Sequence, residues 1–255
     1  MRFHYVWLLW AGAFLLPWYG LYLANRPMRG VMMRTSLVTA AFGLTEPIFV
    51  PSYWLPPSLF DLAQRTRFDI ESFIFSFAIG GLGVVAYNAL TRTHLVPFAV
   101  TPQDEPLHRF HKFALAVPPF AFIPLALLPW NAIYAAILSL VLGSLASLAC
   151  RPSLLKRTLL GGGLFLALYS LFMLGLSLSA PGYIAQVWNL PVLSGVRIRD
   201  IPIEEFLFGM AFGLYWSGVY EHLTWTHSVA HIARPSVTGR PAPSAVRRAT
   251  GIEYT

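Results

Sequence analysis

The chain has 255 residues, of which 56% are hydrophobic and only 11% charged, and its mean hydropathy is +0.59. That composition excludes an ordinary water-soluble domain and predicts a polytopic membrane protein. The net charge of +7 then bears on orientation and lipid head groups rather than on nucleic acid, and the single cysteine, Cys150, excludes an intramolecular disulfide framework.

In chain order, seven apolar stretches predict membrane-spanning helices: 4–24, 31–50, 70–91, 113–129, 131–149, 158–180 and 203–225. Arg2 stands nearly alone before the first, which is long enough to remain as an anchor rather than to be cleaved as a signal. Pro118, Pro119 and Pro124 interrupt the fourth, so it is expected to be kinked, with Pro129-Trp130-Asn131 turning into the fifth. Arg2, Arg65, Arg67, Arg197 and Arg199 fall on one side of this arrangement. The remaining thirteen of the 18 Lys and Arg residues, including Arg26, Arg29, Arg34, Arg151, Lys156 and Arg157, fall on the other. The positive-inside rule makes that second side cytoplasmic, with the N-terminus outside, the C-terminus inside and the cell membrane as the expected location.

The chain also repeats itself. Shifting it by 133 positions lays Phe68–His94 on Ile201–His227 without a gap, and eleven of the 27 pairs are identical. About two would be expected from composition. Among them are Glu71/Glu204, Phe73/Phe206, Phe75/Phe208, Gly80/Gly213, Tyr87/Tyr220 and His94/His227. The third and seventh spans cross in the same direction, so this is a parallel repeat with a pseudo-two-fold along the membrane normal. The loops before the two copies are alike as well: Tyr53-Trp54-Leu55-Pro56 and Trp188-Asn189-Leu190-Pro191. The expected fold is an all-α bundle of about seven spans. It comprises a first three-span repeat in 1–94, a connector with the kinked span in 95–130, a second repeat in 131–227 and a basic, disordered cytoplasmic tail in 228–255.

Each copy places carboxylates at the head of an apolar helix. Asp200 and Pro202 mark a helix start, and the helix dipole favours acidic residues in a first turn, which is the bland reading of Glu204 and Glu205. It accounts poorly for their company. Glu71 and Phe75 share a helix face, as do Glu204 and Phe208. Phe73, Gly80 and Tyr87 form a second stripe, repeated as Phe206, Gly213 and Tyr220, where small residues allow close packing. Two close carboxylates in an apolar setting favour sharing one proton. A protonated acid beside an ionised base, walled by aromatic faces that stabilise a cation, suits proton-initiated chemistry on an apolar substrate dissolved in lipid. The residues alone leave that substrate unnamed.

The signature Pro202-x-Glu204-Glu205-x-x-Phe208, its partial duplication and the Trp/Asn/Pro loop before it resemble the membrane-integral, non-flavin lycopene cyclase family of carotenoid biosynthesis. The likeness covers most of 30–227 and is strongest over 45–94 and 181–227. The resemblance implies an isomerase (an intramolecular lyase) that closes a six-membered ring at the end of a linear carotenoid such as lycopene. It needs no cofactor, works in the lipid bilayer and is accompanied by other enzymes of the carotenoid pathway. It implies Glu204 as proton donor, with Glu205 and, through the repeat, Glu71 as base or partner. Phe75, Phe208, Phe73, Phe206 and Glu46 would line the substrate. The first copy departs from the signature at Asp69 and Ser72, which stand where the second has Pro202 and Glu205.

Other function classes stay in view. A proton-coupled transporter or a non-catalytic carotenoid-binding partner would also use paired carboxylates at a repeat interface. His94, His108, His111, His222, His227 and His231 gather at the end away from the glutamates, as in di-iron membrane oxygenases, but no His-His pair occurs and solvated interfacial histidines are the expectation, with no metal assigned. A retinal photoreceptor is excluded, because Lys112 and Lys156 both lie in or beside loops.

Overall fold

The computed structural model describes residues 3–98 and 110–230. In chain order the helices are α1 (Val6–Ala13), α2 (Leu15–Ala24), α3 (Arg29–Ala40), α4 (Glu46–Phe49), α5 (Leu62–Thr66), α6 (Ile70–Thr91), α7 (His111–Ala126), α8 (Ala132–Cys150), α9 (Leu155–Ser179), α10 (Tyr183–Val187) and α11 (Ile203–Leu223). Four short strands complete the described residues: β1 (Thr93–Pro97), β2 (Arg197–Ile198), β3 (Ile201–Pro202) and β4 (Thr226–Ala230). The fold is an all-helical bundle, and every predicted span is occupied by helix.

The spans are not equal. Val6–Ala24, Ile70–Thr91, Ala132–Cys150 and Pro152–Ser179 are long and apolar enough to cross a membrane. The second predicted span is instead α3, tightened through a 3-10 stretch at Ala41–Thr45 into α4. The fourth, α7, runs for only 16 residues with its three prolines inside, against the roughly 20 that a bilayer needs. The seventh, α11, is long enough at 21 residues, but its polar groups, among them Glu204, Glu205, Glu221 and His222, lower its hydropathy, and all four are buried. The bundle's outer surface carries exposed Leu9, Leu16, Phe113, Phe120, Leu127 and Leu171. An apolar coat of that kind suits lipid rather than water.

The stripe of small residues is a helix interface in both halves. At Gly80 of α6, a Cβ would fall 1.7 Å from Thr39 Oγ1 of α3; at Gly213 of α11, one would fall 2.6 Å from Phe165 Cβ of α9. Only glycine lets these backbones approach so closely. The second span therefore packs on the third, as the sixth packs on the seventh. Asp69 caps α6, accepting the Ser72 backbone N–H, and also accepts from Trp7 Nε1 at 3.4 Å. Burial pushes its carboxyl above the usual range. Asp69→Ala is expected to cost about 1 kcal/mol through the lost cap, while Asp69→Asn keeps most of it; thermal unfolding in detergent measures the difference.

Two small ladders show how the halves face each other. Strand β1 pairs antiparallel with β4, from Thr93 opposite Ala230 to Pro97 opposite Thr226. The 133-residue shift carries Thr93 onto Thr226 and Pro97 onto Ala230, so the ladder maps onto itself. At the other end of the bundle, a Trp54–Trp188 bridge is flanked by Leu55 N–H to Val187 O and Asn189 N–H to Tyr53 O, both 2.8 Å. This pair is self-symmetric too. Both sets of pairings are those that a pseudo-two-fold relation between the two stretches would give. Strand β4 continues to Ala230, so the boundary expected at 228 falls inside a strand; the rest of the tail, His108 and His231 lie outside the described residues.

Candidate active site

Glu204 and Glu205 stand in the first turn of α11, both buried. They point to different partners. Glu205 is held by three donors from three segments: Tyr53 OH from the loop of the first half, Trp188 Nε1 (2.6 Å) from the loop of the second, and Tyr169 OH (2.5 Å) from α9. Both of its oxygens accept, and two of the donors, Tyr53 and Trp188, lie at the Trp54–Trp188 bridge. Burial and the Glu205 charge hold the Tyr53 hydroxyl well above its ordinary value, which keeps it a donor.

Glu204 is half used. Its Oε1 accepts from Tyr134 OH (2.7 Å, from α8) and from the Ser194 backbone N–H (2.8 Å), while its Oε2 is buried and has no partner among the described residues. Its repeat equivalent, Glu71, keeps the backbone half of this arrangement. Glu71 Oε1 accepts the Leu59 backbone N–H at 2.8 Å, and its Oε2 is buried without a partner. In both halves a loop amide upstream of the helix engages one oxygen and leaves the other free to carry or give a proton. Glu46 is buried near Asp69, Ser72 and Trp54, with Oε1 also unpartnered. The Tyr183 hydroxyl, near Asp69 and Glu71, is buried in the same region.

The aromatic wall is centred on Tyr169. Phe75 and Phe208 meet its ring edge-on, at 6.3 and 5.8 Å. From Phe75 the rings continue through Phe14 and Phe172 to a groove between α1–α2 and α9, of about 210 Å³. Trp10, Ala13, Phe14, Pro17, Leu168, Leu171 and Phe172 line it, with no charged residue among them. From Phe208 a second file runs through Phe212 and Trp216 to Phe42. Aromatic faces at these spacings stabilise a passing cation.

The structure thus gathers Glu205, Phe75 and Phe208 around Tyr169 and sets Glu204 on the neighbouring position of the same helix turn. Residues 131–223 match the family model described as lycopene cyclase. Neither the comparison with curated proteins nor that with solved structures returned a match. The lycopene cyclase match spans α8 to α11 and so contains Tyr134, Tyr169, Trp188, Ser194, Glu204 and Glu205, whereas Tyr53, Glu46 and Glu71 come from outside it. It supports a carotenoid cyclase function and a carotenoid substrate, and the apolar helices fit a lipid environment.

Phe73 and Phe206 are not brought to the Tyr169 cluster. The Phe73 ring lies on Gly43, where a Cβ would fall 2.7 Å away, and Phe206 is only partly buried against the core. Sequence reasoning missed Tyr169 and Tyr134 as hydrogen-bond partners and Tyr183 as a buried neighbour, and read Tyr53 and Trp188 only as parts of two similar loops. One signal was present: Phe165, Tyr169 and Phe172 recur at helical spacing, an aromatic stripe with one hydroxyl in it.

Arg151 and Arg157, counted among the cytoplasmic loop charges, are instead buried at the end away from the glutamates. Arg157 bonds Glu221 Oε2 (2.7 Å), Asn88 Oδ1 (2.6 Å), Ser228 Oγ (2.7 Å), Val84 O (3.1 Å) and Ser217 O. Arg151 reaches the other Glu221 oxygen at 3.3 Å. A helix end can hide a guanidinium when a carboxylate and carbonyls satisfy it, which a loop-charge count does not register.

Proposed function

We propose that this chain is a lycopene cyclase-type isomerase that closes a ring at the end of a linear carotenoid by glutamate acid–base catalysis. The observation that carries this reading is the contrast between the two adjacent glutamates. Glu205 is fixed as an acceptor by three donors, while Glu204 keeps a buried, unpartnered oxygen. Glu204 Oε2 gives its proton to the terminal double bond, and the resulting cation closes a six-membered ring by attack of an internal double bond. Loss of a proton from the ring to Glu205 or Glu71 restores neutrality, so the product is an isomer of the substrate and no redox equivalent is consumed. Phe75, Phe208 and the Tyr169 ring shield the cation. Phe73, Phe206 and Glu46 would meet the substrate outside the Tyr169 cluster.

A proton-coupled carrier would need its glutamates on a wet path. Here Glu204 and Glu205 are 0% and 4% exposed, and the groove leading to the aromatic cluster is apolar. That favours the cyclase. We further propose tandem repeats in 1–94 and 131–227 about the pseudo-two-fold axis, with 95–130 connecting them. The glutamate end faces outward in the cell membrane, because the Lys and Arg bias remains eleven to five after Arg151 and Arg157 are set aside as buried.

The test is expression in cells that accumulate lycopene, followed by chromatography of the pigments. Monocyclic or bicyclic products are expected; lycopene that stays linear beside inserted, folded protein overturns the reading. In the same assay Tyr169→Phe is expected to slow ring formation about ten- to a hundredfold, since a hydrogen bond to a charged group is worth roughly 1.5–3 kcal/mol.

A further inference from the structure

His111 opens α7, Cys150 closes α8 and His222 lies in the last turn of α11. Three helices thus deliver two imidazoles and a thiol to one point, at the end of the bundle opposite the glutamates. One ligand atom from each lies within 4.8 Å of the other two, and all three residues are buried. His222 Nε2 is 3.4 Å from Cys150 Sγ, and the rings of His111 and His222 meet edge to face at 4.5 Å. Trp225 stacks on His111 at 4.3 Å and fixes the plane of that ring.

We propose that His111, Cys150 and His222 bind one zinc ion. Tetrahedral zinc with bonds of about 2.3 Å to sulfur and 2.0–2.1 Å to nitrogen sets its ligand atoms roughly 3.3–3.6 Å apart. The His222–Cys150 separation already has that value. A thiol–imidazole hydrogen bond alone would explain that pair, but it gives no reason for a second imidazole to converge on the same point. The donor set is soft sulfur with borderline nitrogen, which selects zinc over calcium or magnesium. Three protein ligands leave a fourth position for water or another donor. The ion would pin the start of α7 to the ends of α8 and α11, and its binding would release the Cys150 thiol proton. This site shares no residue with the glutamate cluster, so it stands or falls separately from the cyclase reading.

The test is metal analysis of the full chain purified in detergent without chelator. About one zinc per chain is expected, with X-ray absorption showing one sulfur at about 2.3 Å and nitrogen at 2.0–2.1 Å. Cys150→Ser is expected to lose the zinc while keeping the helical circular dichroism spectrum. If that variant does not fold, the wild-type chain stripped of metal and titrated with Co²⁺ answers the same question, because thiolate ligation gives a sulfur-to-cobalt charge-transfer band that histidine alone does not. A wild-type chain that takes up no zinc or cobalt overturns the proposal. So does a folded Cys150→Ser variant with undiminished zinc, or stoichiometric copper or iron in zinc's place.

Discussion

Glu204→Gln is expected to abolish ring closure while leaving the protein folded. The amide oxygen can still accept from Tyr134 and from the Ser194 amide, the two donors that Glu204 Oε1 serves now. The amide nitrogen takes the place of Oε2, a position that already has no protein partner. In this site glutamine is close to an isostere of a neutral glutamic acid, so unfolding should occur at nearly the same temperature. What is lost is the proton. General acid catalysis contributes about 10²–10⁴ in rate, and an alkene takes up a proton very slowly without it, so pigment extracts should show lycopene alone. Melting temperature and product chromatography on the same preparation check both halves of this expectation. Undiminished cyclisation would move the donor's role to Glu71.

Glu205 separates from Glu204 under the same logic. Glutamine there can direct its oxygen at Trp188 and Tyr53 and its nitrogen at Tyr169, whose hydroxyl can turn to accept, so Glu205→Gln should fold but lose the anion. Glu205→Leu leaves three buried donors without an acceptor, each costing roughly 1–3 kcal/mol. That variant should fail in stability before activity can be asked of it.

How much of this was legible in the chain depends on what each signal measures. Hydropathy reports depth along the membrane normal, and it located all seven helical segments and put Glu71 and Glu204 at one level. The repeat gave their equivalence, and the self-symmetric pairing of β1 with β4 and of Trp54 with Trp188 agrees with the two-fold axis it implied. Neither signal reports rotation about a helix axis in a chain whose helices are apolar on most sides. Hence Phe73, though read on the packing stripe, was given to the substrate wall together with Phe75, although Phe75 meets Tyr169 and Phe73 packs on Gly43. The partners of Glu205 were hidden for another reason. Tyr53 lies 152 residues from it, in the opposite half, and only closure of the two-fold brings them together. The sequence reading gathered His111 and His222 at one end of the bundle but left out Cys150, which joins them only when three helix ends meet.

Arg157→Ala is expected to be among the most damaging single changes in the molecule, though it lies at the end of the bundle away from the chemistry. A Lys and Arg count treats each residue as a solvated charge that marks the cytoplasmic side. Arg157 is instead 3% exposed, and its guanidinium joins α6, α9, α11 and β4 through Asn88, Val84, Glu221, Ser217 and Ser228. Truncation leaves Glu221 with Arg151 as its remaining cation, at 3.3 Å, and takes the donor from Asn88 Oδ1 in a buried pocket. Removing one partner of a buried pair costs about 3–5 kcal/mol, a large share of the 5–15 kcal/mol by which a folded domain is stable. Loss of monodisperse protein on gel filtration, or a melting temperature many degrees lower, is the expected readout. Arg157→Lys separates charge from geometry: a lysine can meet Glu221 but cannot span from it to Asn88 and Ser217 at once, so it should recover only part of the loss. Glu221→Gln gives the converse, two buried guanidiniums facing a neutral amide, and should be nearly as harmful. If Arg157→Ala melts with the wild type, the halves are held by the apolar helix contacts alone, and the charge belongs to topology after all.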